Sequence, residues 1–506
     1  MSIIDIINLI DSLVWGLPMI IILVATGLTI GIMGGFFQIR KFGVAIRTMK
    51  WRGKKGAGEV HPFKIWAMVM GATIGVGNIA GASTAVHLGG AGALFWMWVC
   101  GILGMGLKAA EVTLGVWSRR VLPDGRIEGG TPYYIRLVPK IGPILAVLFS
   151  LFAFTAAFGI GNMVQANNVA LGAEYVAKMF GATGDTIFYV RLVTGILIAL
   201  FTALVVLGGL RRIAEVANYM VPFMAAWYII FGTGIWIIYG GNFALAISEV
   251  FRFAFSPQAA FGGLAGWTVY SAIRYGFARG LFSNEAGLGS APNAYAYAES
   301  DHPGRQGFYG VFEVFMDTIV ICTITIMSDI VTRAYIERPD LSGAALAMEA
   351  FFRAYGEFAP VLLGVALALF AYTTLLTWEY YGEVNWKYFW VKILHLPEKP
   401  MTWIWRVLWI IPIIPAAISP ELFETFWNFS DMTNGLMAIP NLVAVIYLSP
   451  IAINLIKDFY SRHIYETGEA GGGSAVSSAV QVLSDFGKDL FRSMYTPTYK
   501  LVMEKR

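Results

Sequence analysis

The chain has 506 residues, of which 57% are hydrophobic and only 13% charged, with a formal net charge of +4 and a mean hydropathy of +0.65. Soluble domains average roughly 45–50% apolar and about 25% charged residues, and no single core hides this much apolar surface from water. Composition therefore excludes an ordinary soluble protein and points to an integral membrane protein.

The first residues carry acids (Asp5, Asp11) rather than bases, and the apolar run from Leu13 outlasts a signal peptide, so no cleavable leader is expected. Apolar runs then recur at about the length that spans a hydrocarbon core of roughly 30 Å. They predict about eleven spans, near 12–38, 62–88, 91–118, 142–175, 187–209, 214–240, 262–285, 308–331, 359–384, 402–420 and 430–456. The basic cluster after the first span (Arg40, Lys41, Arg47, Lys50, Arg52, Lys54, Lys55, Lys64) reads as cytoplasmic, which sets the N-terminus outside. Alternation then keeps Arg119, Arg120, Arg126, Arg136, Lys140, Arg211, Arg212, Lys387 and Lys392 inside, with the C-terminus inside as well.

The second span contains Gly71, Gly75, Gly77 and Gly81; the seventh contains Gly276, Gly280, Gly287 and Gly289 around charged residues. Glycine costs a helix about 1 kcal/mol relative to alanine. Close helix packing through small residues is one explanation. The other is a pair of broken helices, as in inverted-repeat transporters, whose free backbone groups bind a solute at mid-membrane.

Between and after these spans lie isolated polar residues. Lys108 and Glu111 are placed to neutralise each other at i and i+3. Asn162 and Gln165 form a polar stripe in the fourth span. Asp317 lies deep in the eighth span among Phe315, Met316, Ile319 and Val320, where it needs a cation or a proton, or an ion pair with Arg274 or Arg279. Glu313, one turn away, is expected to pair with such an arginine. Thr373 and Thr374 form a hydroxyl pair in the ninth span, although threonine in a membrane helix often bonds its own backbone. Cys100 and Cys322 lie in apolar stretches and show no disulfide, metal or redox spacing. Beyond Lys457 a Gly/Ser linker (468–474) precedes Val476, Val480, Leu483, Phe486 and Leu490, spaced for an amphipathic surface helix.

Several stretches carry a resemblance. They are Gly71–Gly81 (Gly-Ala-Thr-Ile-Gly-Val-Gly-Asn-Ile-Ala-Gly), Gly89–Trp98, Gly129–Ile135, Arg279–Pro292 (with Ser283-Asn284-Glu285-Ala286-Gly287-Leu288-Gly289-Ser290-Ala291-Pro292), His302-Pro303, Gln306-Gly307, Asp317-Thr318 and Asn434–Leu442. Over roughly residues 15–456 the chain resembles the alanine-or-glycine:cation symporter family. That resemblance implies an all-α polytopic membrane protein of LeuT type: two inverted five-helix repeats, 62–240 and 262–456, preceded by an extra helix and basic loop (1–61) and followed by a cytoplasmic tail (457–506). Spans two and seven would be the broken ones.

The expected activity is sodium-coupled symport of a small neutral amino acid, alanine or glycine, in the cell membrane. Sodium is then a coupling ion and not a catalytic cofactor, the other partners are the amino acid and lipid, and neither nucleic acid nor an obligate protein partner is expected. The half-helix N–H groups at Gly75, Val76 and Gly77 would hold the substrate carboxylate, Thr73 and Gly161 would belong to the same substrate site, Gln165 could accept from the ammonium or donate to the carboxylate, and Tyr270, Ile273 and Phe277 would wall the side-chain pocket. Carbonyls near Gly71, Thr73 and Ile74 would suit sodium or the substrate ammonium, and the sodium ligands would be these with Asn78, Asp317, Thr373 and Thr374; for Asn78 the alternative is to cap the half-helix. Val76 stands where the family commonly has threonine, Ala91 and Thr131 where it commonly has proline, and His87 is unusual. A proton-coupled permease, with Asp317 or His87 as carrier, and an ion channel are the competing readings. Enzyme signatures such as G-x-S-x-G and H-E-x-x-H are absent.

Overall fold

A computed structural model describes residues 3–50, 56–257, 267–419 and 424–466. Almost all of these residues are helical, and the one sheet among them is a small hairpin, Arg120–Val121 against Ile127–Glu128. The main helices are α1 Leu17–Gly34, α2 Pro62–Thr73, α3 Ala82–Gly89, α4 Ala93–Trp117, α5 Gly142–Met179, α6 Asp185–Val206 and α7 Gly209–Ile238. They continue as α8 Val269–Asn284, α9 Pro292–Tyr295, α10 Pro303–Val331, α11 Ala359–Lys387, α12 Glu398–Ile418 and α13 Glu424–Glu466.

Nine helices among the described residues are long and apolar enough to cross a membrane, and α2 with the Gly77–Gly89 stretch makes a tenth as a bent pair. The seventh expected span is α8, whose 16 described residues fall short of a full crossing; residues 258–266 before it lie outside the described set. Further helices occupy Ile3–Val14, Phe42–Met49, Gly240–Phe255 and Ala344–Tyr355, which the hydropathy pattern did not single out. The last two carry Glu249, Arg252, Glu349 and Arg353 among their apolar residues, which dilutes the run a span requires. At the C-terminus α13 runs on to Glu466, past the boundary expected at 457. The linker and amphipathic stretch expected at 468–490 lie outside the described residues.

Helix starts follow local chemistry. Prolines open α2, α9 and α10, where the missing N–H costs nothing. His61 Nδ1 accepts the Phe63 N–H (3.2 Å) at the start of α2, and His302 Nδ1 accepts the Gly304 N–H (3.1 Å) at the start of α10. A capping box begins α8: Thr268 Oγ1 accepts the Ser271 N–H (3.0 Å) and Ser271 Oγ accepts the Thr268 N–H (2.9 Å). Arg119, just after α4, donates to the carbonyls of Ala296 (3.0 Å) and Ala298 (2.7 Å) and so fastens the chain that follows α9.

The outer surface is apolar, as a lipid-facing one must be: Phe201, Leu204, Tyr219 and Ile230 are exposed, and Ile237 is 82% exposed. Inside, α5 and α11 cross on glycine. A Cβ on Gly172 would lie 2.6 Å from the Gly364 carbonyl oxygen, and one on Gly364 would lie 2.7 Å from that of Gly172. Without a hydrophobic driving force between helices in lipid, such close backbone approach supplies the packing.

Gly172→Ala should therefore destabilise the folded protein by about 1–3 kcal/mol through overpacking, read as a lower thermal-unfolding midpoint in detergent. Gly43→Ala, where a Cβ meets nothing within 4 Å, should leave the midpoint unchanged. Equal midpoints for the two variants would contradict the crossing.

Candidate functional site

The site is built around the break between α2 and α3. Helix α2 ends at Thr73, Ile74 leaves helical geometry with ψ 87°, and a π-helical turn, Gly77–Gly81, leads into α3. The two halves meet at 49°. The Gly75 N–H donates to Asn78 Oδ1 (2.8 Å), so Asn78 caps the second half-helix, the alternative kept open for it from sequence. That bond occupies the Gly75 amide. The N–H groups of Val76 and Gly77 find no protein acceptor among the described residues, and both residues face the cavity. Glycine is required at 75 because a Cβ there would sit 2.7 Å from Thr374 Oγ1.

Carbonyls freed at the end of α2 meet α11. Thr374 Oγ1 lies 3.0 Å from the Gly71 oxygen and 3.3 Å from that of Ala72. Thr373 packs beside Gly71, but its hydroxyl donates to Leu369 and Phe370 of its own helix (both 3.1 Å). Of the hydroxyl pair, Thr374 alone reaches the break. Ile74 is fully buried there.

A second cluster forms on the other side. Asp317 is fully buried in a π-helical turn of α10, Phe315–Cys322, a distortion common at functional sites. Its Oδ1 accepts from Asn78 Nδ2 (2.6 Å) and Ser283 Oγ (3.0 Å), and its Oδ2 from Thr318 Oγ1 (2.8 Å) and Ser283 Oγ (3.1 Å). No arginine forms an ion pair with it among the described residues, so the structural-pair alternative with Arg274 or Arg279 does not hold. The expected sodium ligands thus divide in two, Gly71 and Thr374 in one set and Asn78 and Asp317 in the other, with Gly75 touching both.

Thr73 belongs to neither. Its hydroxyl donates to Val69 (2.9 Å) and to Glu313 Oε1 (2.9 Å), which also meets Lys108 Nζ at 3.1 Å with both side chains fully buried. Tyr295 OH donates to Glu313 Oε2 (2.9 Å). Lys108 therefore pairs with Glu313 across two helices, not with Glu111, and Glu313 pairs with no arginine among the described residues. Glu111 instead accepts from Asn441.

Between these clusters lies a small cavity, open to water-sized centres over about 40 Å³ and lined by Ala72, Thr73, Gly75, Val76, Gly77, Ile160, Gln165, Phe282, Ser283, Glu285, Leu288, Thr374, Trp378 and Asn434. One water needs about 10–15 Å³, so the space suits a ligand of a few heavy atoms. Gly161 stands behind the wall: a Cβ there would collide with Trp378.

Tyr270, Ile273 and Phe277 do not reach the cavity. Helix α8 stays intact to Asn284, which leaves Phe277 about 10 Å along the axis from the break. Tyr270 is 55% exposed, and Phe277 packs near Trp96. Gly276 and Gly280 serve packing, since a Cβ on either would press on Ala93 and Trp96 or on Cys100. The break itself uses Glu285 (φ 55°), Gly287 (φ 95°) and Gly289 (φ 74°). Sequence reasoning missed Phe282, Ser283, Glu285, Leu288, Trp378 and Asn434 as wall residues; the Ser283–Ser290 block and Asn434 were the available signals.

A family model described as the sodium:alanine symporter family matches residues 1–470. The sodium/alanine symporter AgcS of Methanococcus maripaludis is 38% identical over 466 residues, covering 91% of this chain and 98% of that protein. The probable sodium/glutamine symporter GlnT of Bacillus subtilis is 32% identical over 465 residues, covering 90% of each. Among solved structures, MhsT in complex with L-phenylalanine aligns over 80% of this chain and 99% of its own with a TM-score of 0.52 at 13% identity. That likeness carries the LeuT-type helical fold expected from the motifs, and the fold alone.

Lys108→Met should lower stability by about 3–5 kcal/mol, because it strands the Glu313 carboxylate, while Lys108→Met with Glu313→Gln should recover most of the loss. Thermal unfolding of the purified variants reads both. An additive double variant would show that the two residues do not interact.

Proposed function

Because the chain belongs to the sodium:alanine symporter family, whose members are multi-pass transporters that use sodium as coupling ion and are not enzymes, we propose that it carries alanine or glycine into the cell by alternating access. The observation that supports this substrate size is the cavity at the α2–α3 break, which has room for a few heavy atoms and has Trp378 and Phe282 in its wall. The amides of Val76 and Gly77, at the positive end of a half-helix, suit a carboxylate. A charge-assisted hydrogen bond of this kind is worth about 1.5–3 kcal/mol.

Two sets of hard oxygen ligands border that cavity. One is the Gly71 and Ala72 carbonyls with Thr374; the other is Asp317 with Asn78, Ser283 and Thr318. Either suits sodium, since oxygen ligands in a dry site replace its hydration shell. Asn78 spans from the Gly75 amide to Asp317, so an ion beside Asp317 bears on the backbone that holds the carboxylate. Basic residues such as Arg119 and Lys387 support a cytoplasmic location for the end of the bundle that carries them, with the N-terminus outside.

Uptake of labelled alanine into proteoliposomes should require an inward sodium gradient. Equal uptake in potassium or choline under a proton gradient would overturn sodium coupling. Thr374→Val should raise the sodium concentration for half-maximal uptake several-fold, and an unchanged value would remove Thr374 from the site. Gly75→Val should abolish binding in a protein that still inserts, because of the contact with Thr374. Alaninamide, lacking the carboxylate, should compete poorly; strong competition would argue against an anion site at Val76 and Gly77.

A further inference from the structure

The cavity wall contains a carboxylate that the roles above do not use. Glu285 ends α8 in the left-handed region, φ 55° and ψ 16°, a conformation that a non-glycine residue adopts at an energetic cost. The turn directs the chain off the helix axis, and the Glu285 side chain lines the cavity while only 5% exposed. Trp378 Nε1 donates to its Oε1 (3.0 Å) and Ser290 Oγ donates to its Oε2. Two donors from two elements hold the carboxylate in place without neutralising it. Lys108, the buried cation that acts on Glu285 electrostatically, forms its ion pair with Glu313 instead.

Two further acceptors share this wall. Gln165 gives its amide nitrogen to the Ile160 carbonyl (2.7 Å), which leaves Oε1 buried with no donor among the described residues. Asn434 is 1% exposed, and its Oδ1 likewise has no donor there. A buried acceptor without a donor is costly, and one that lines a cavity is satisfied by what enters it. Three oxygen-bearing side chains therefore share a cavity whose break offers free N–H groups from Val76 and Gly77. That distribution complements a zwitterion: a carboxylate toward the break, a cationic donor toward Glu285, Gln165 and Asn434.

We propose that Glu285 is the counter-ion of the substrate's ammonium group, with Asn434 Oδ1 and Gln165 Oε1 as its neutral acceptors. This rests on the amino-acid reading above and assigns the end of the substrate that the break leaves unserved. Trp378 is then a positioning residue for Glu285 as well as a wall.

The test compares L-alanine with L-lactate, which keeps the carboxylate and methyl group but replaces the ammonium by a hydroxyl. Binding of each is measured on the purified full chain at saturating sodium. Glu285→Gln should weaken alanine binding about ten- to a hundred-fold, the loss of one hydrogen bond to a charged group, while lactate binding and the half-saturating sodium concentration stay as in the wild type. Unchanged alanine binding overturns the proposal. So does a parallel loss of alanine and lactate, which marks a structural role, and so does a change in sodium affinity alone, which makes Glu285 an ion ligand. Should Glu285→Gln fail to fold, Asn434→Ser applies the same comparison to the second acceptor, and an undiminished preference for alanine over lactate overturns the proposal. Failure of the wild-type protein to bind alanine at all would instead reject the amino-acid reading on which this one stands.

Discussion

The rest of the structure hangs on the buried pair of Lys108 and Glu313, 3.1 Å apart with neither side chain exposed. Two ions removed from water are tolerable only when each satisfies the other and the remaining lone pairs find donors. Those donors come from the broken elements: Thr73, the last residue of α2, and Tyr295, the last of α9, both reach Glu313 at 2.9 Å. The end of α2 at the break and the end of the short helix α9 are thereby fastened to one carboxylate, which is itself held to α4. Breaking a helix inside a membrane strands backbone groups, and here the cost is offset by side chains that cross between elements.

The same logic governs Asn78. Its oxygen accepts from the Gly75 amide and its nitrogen donates to Asp317, so one side chain joins backbone and carboxylate across the break. Asp317 in turn gathers Ser283 and Thr318. In the proposed mechanism this arrangement is why ion and substrate bind together: an ion that changes what Asp317 accepts also changes what Asn78 holds. Coupling of this kind needs no long pathway, because the two sites share the bonds of one residue.

How much of this was legible in the sequence depended on whether the signal was local. The glycines of the second span mark a real break, since the Gly75 position leaves no room for a Cβ beside Thr374. Asp317 stands out in the sequence by its depth in an apolar run, and it is fully buried among hydrogen-bond donors. In the seventh span the same glycine signal mixes two causes, because Gly276 and Gly280 serve packing against α4 while Gly287 and Gly289 serve the turn. That mixture moved the expected pocket wall two to four turns back, to Phe277, Ile273 and Tyr270. Lys108 was matched with Glu111 by proximity in sequence, whereas its partner lies on a distant helix, and no single-chain spacing rule reports such a pairing. Trp378 and Asn434 were missed for a related reason, since an aromatic and an amide in apolar helices look like ordinary packing until the fold brings them to one cavity.

In the proposed mechanism sodium and a small amino acid occupy neighbouring positions at one helix break and stabilise each other there. Titration calorimetry of purified protein tests it most directly, by measuring alanine affinity across a series of sodium concentrations and sodium affinity with and without alanine. The account predicts that sodium tightens alanine binding and that alanine tightens sodium binding by the same factor, as linkage requires. Alanine affinity that does not change from zero to saturating sodium would contradict it.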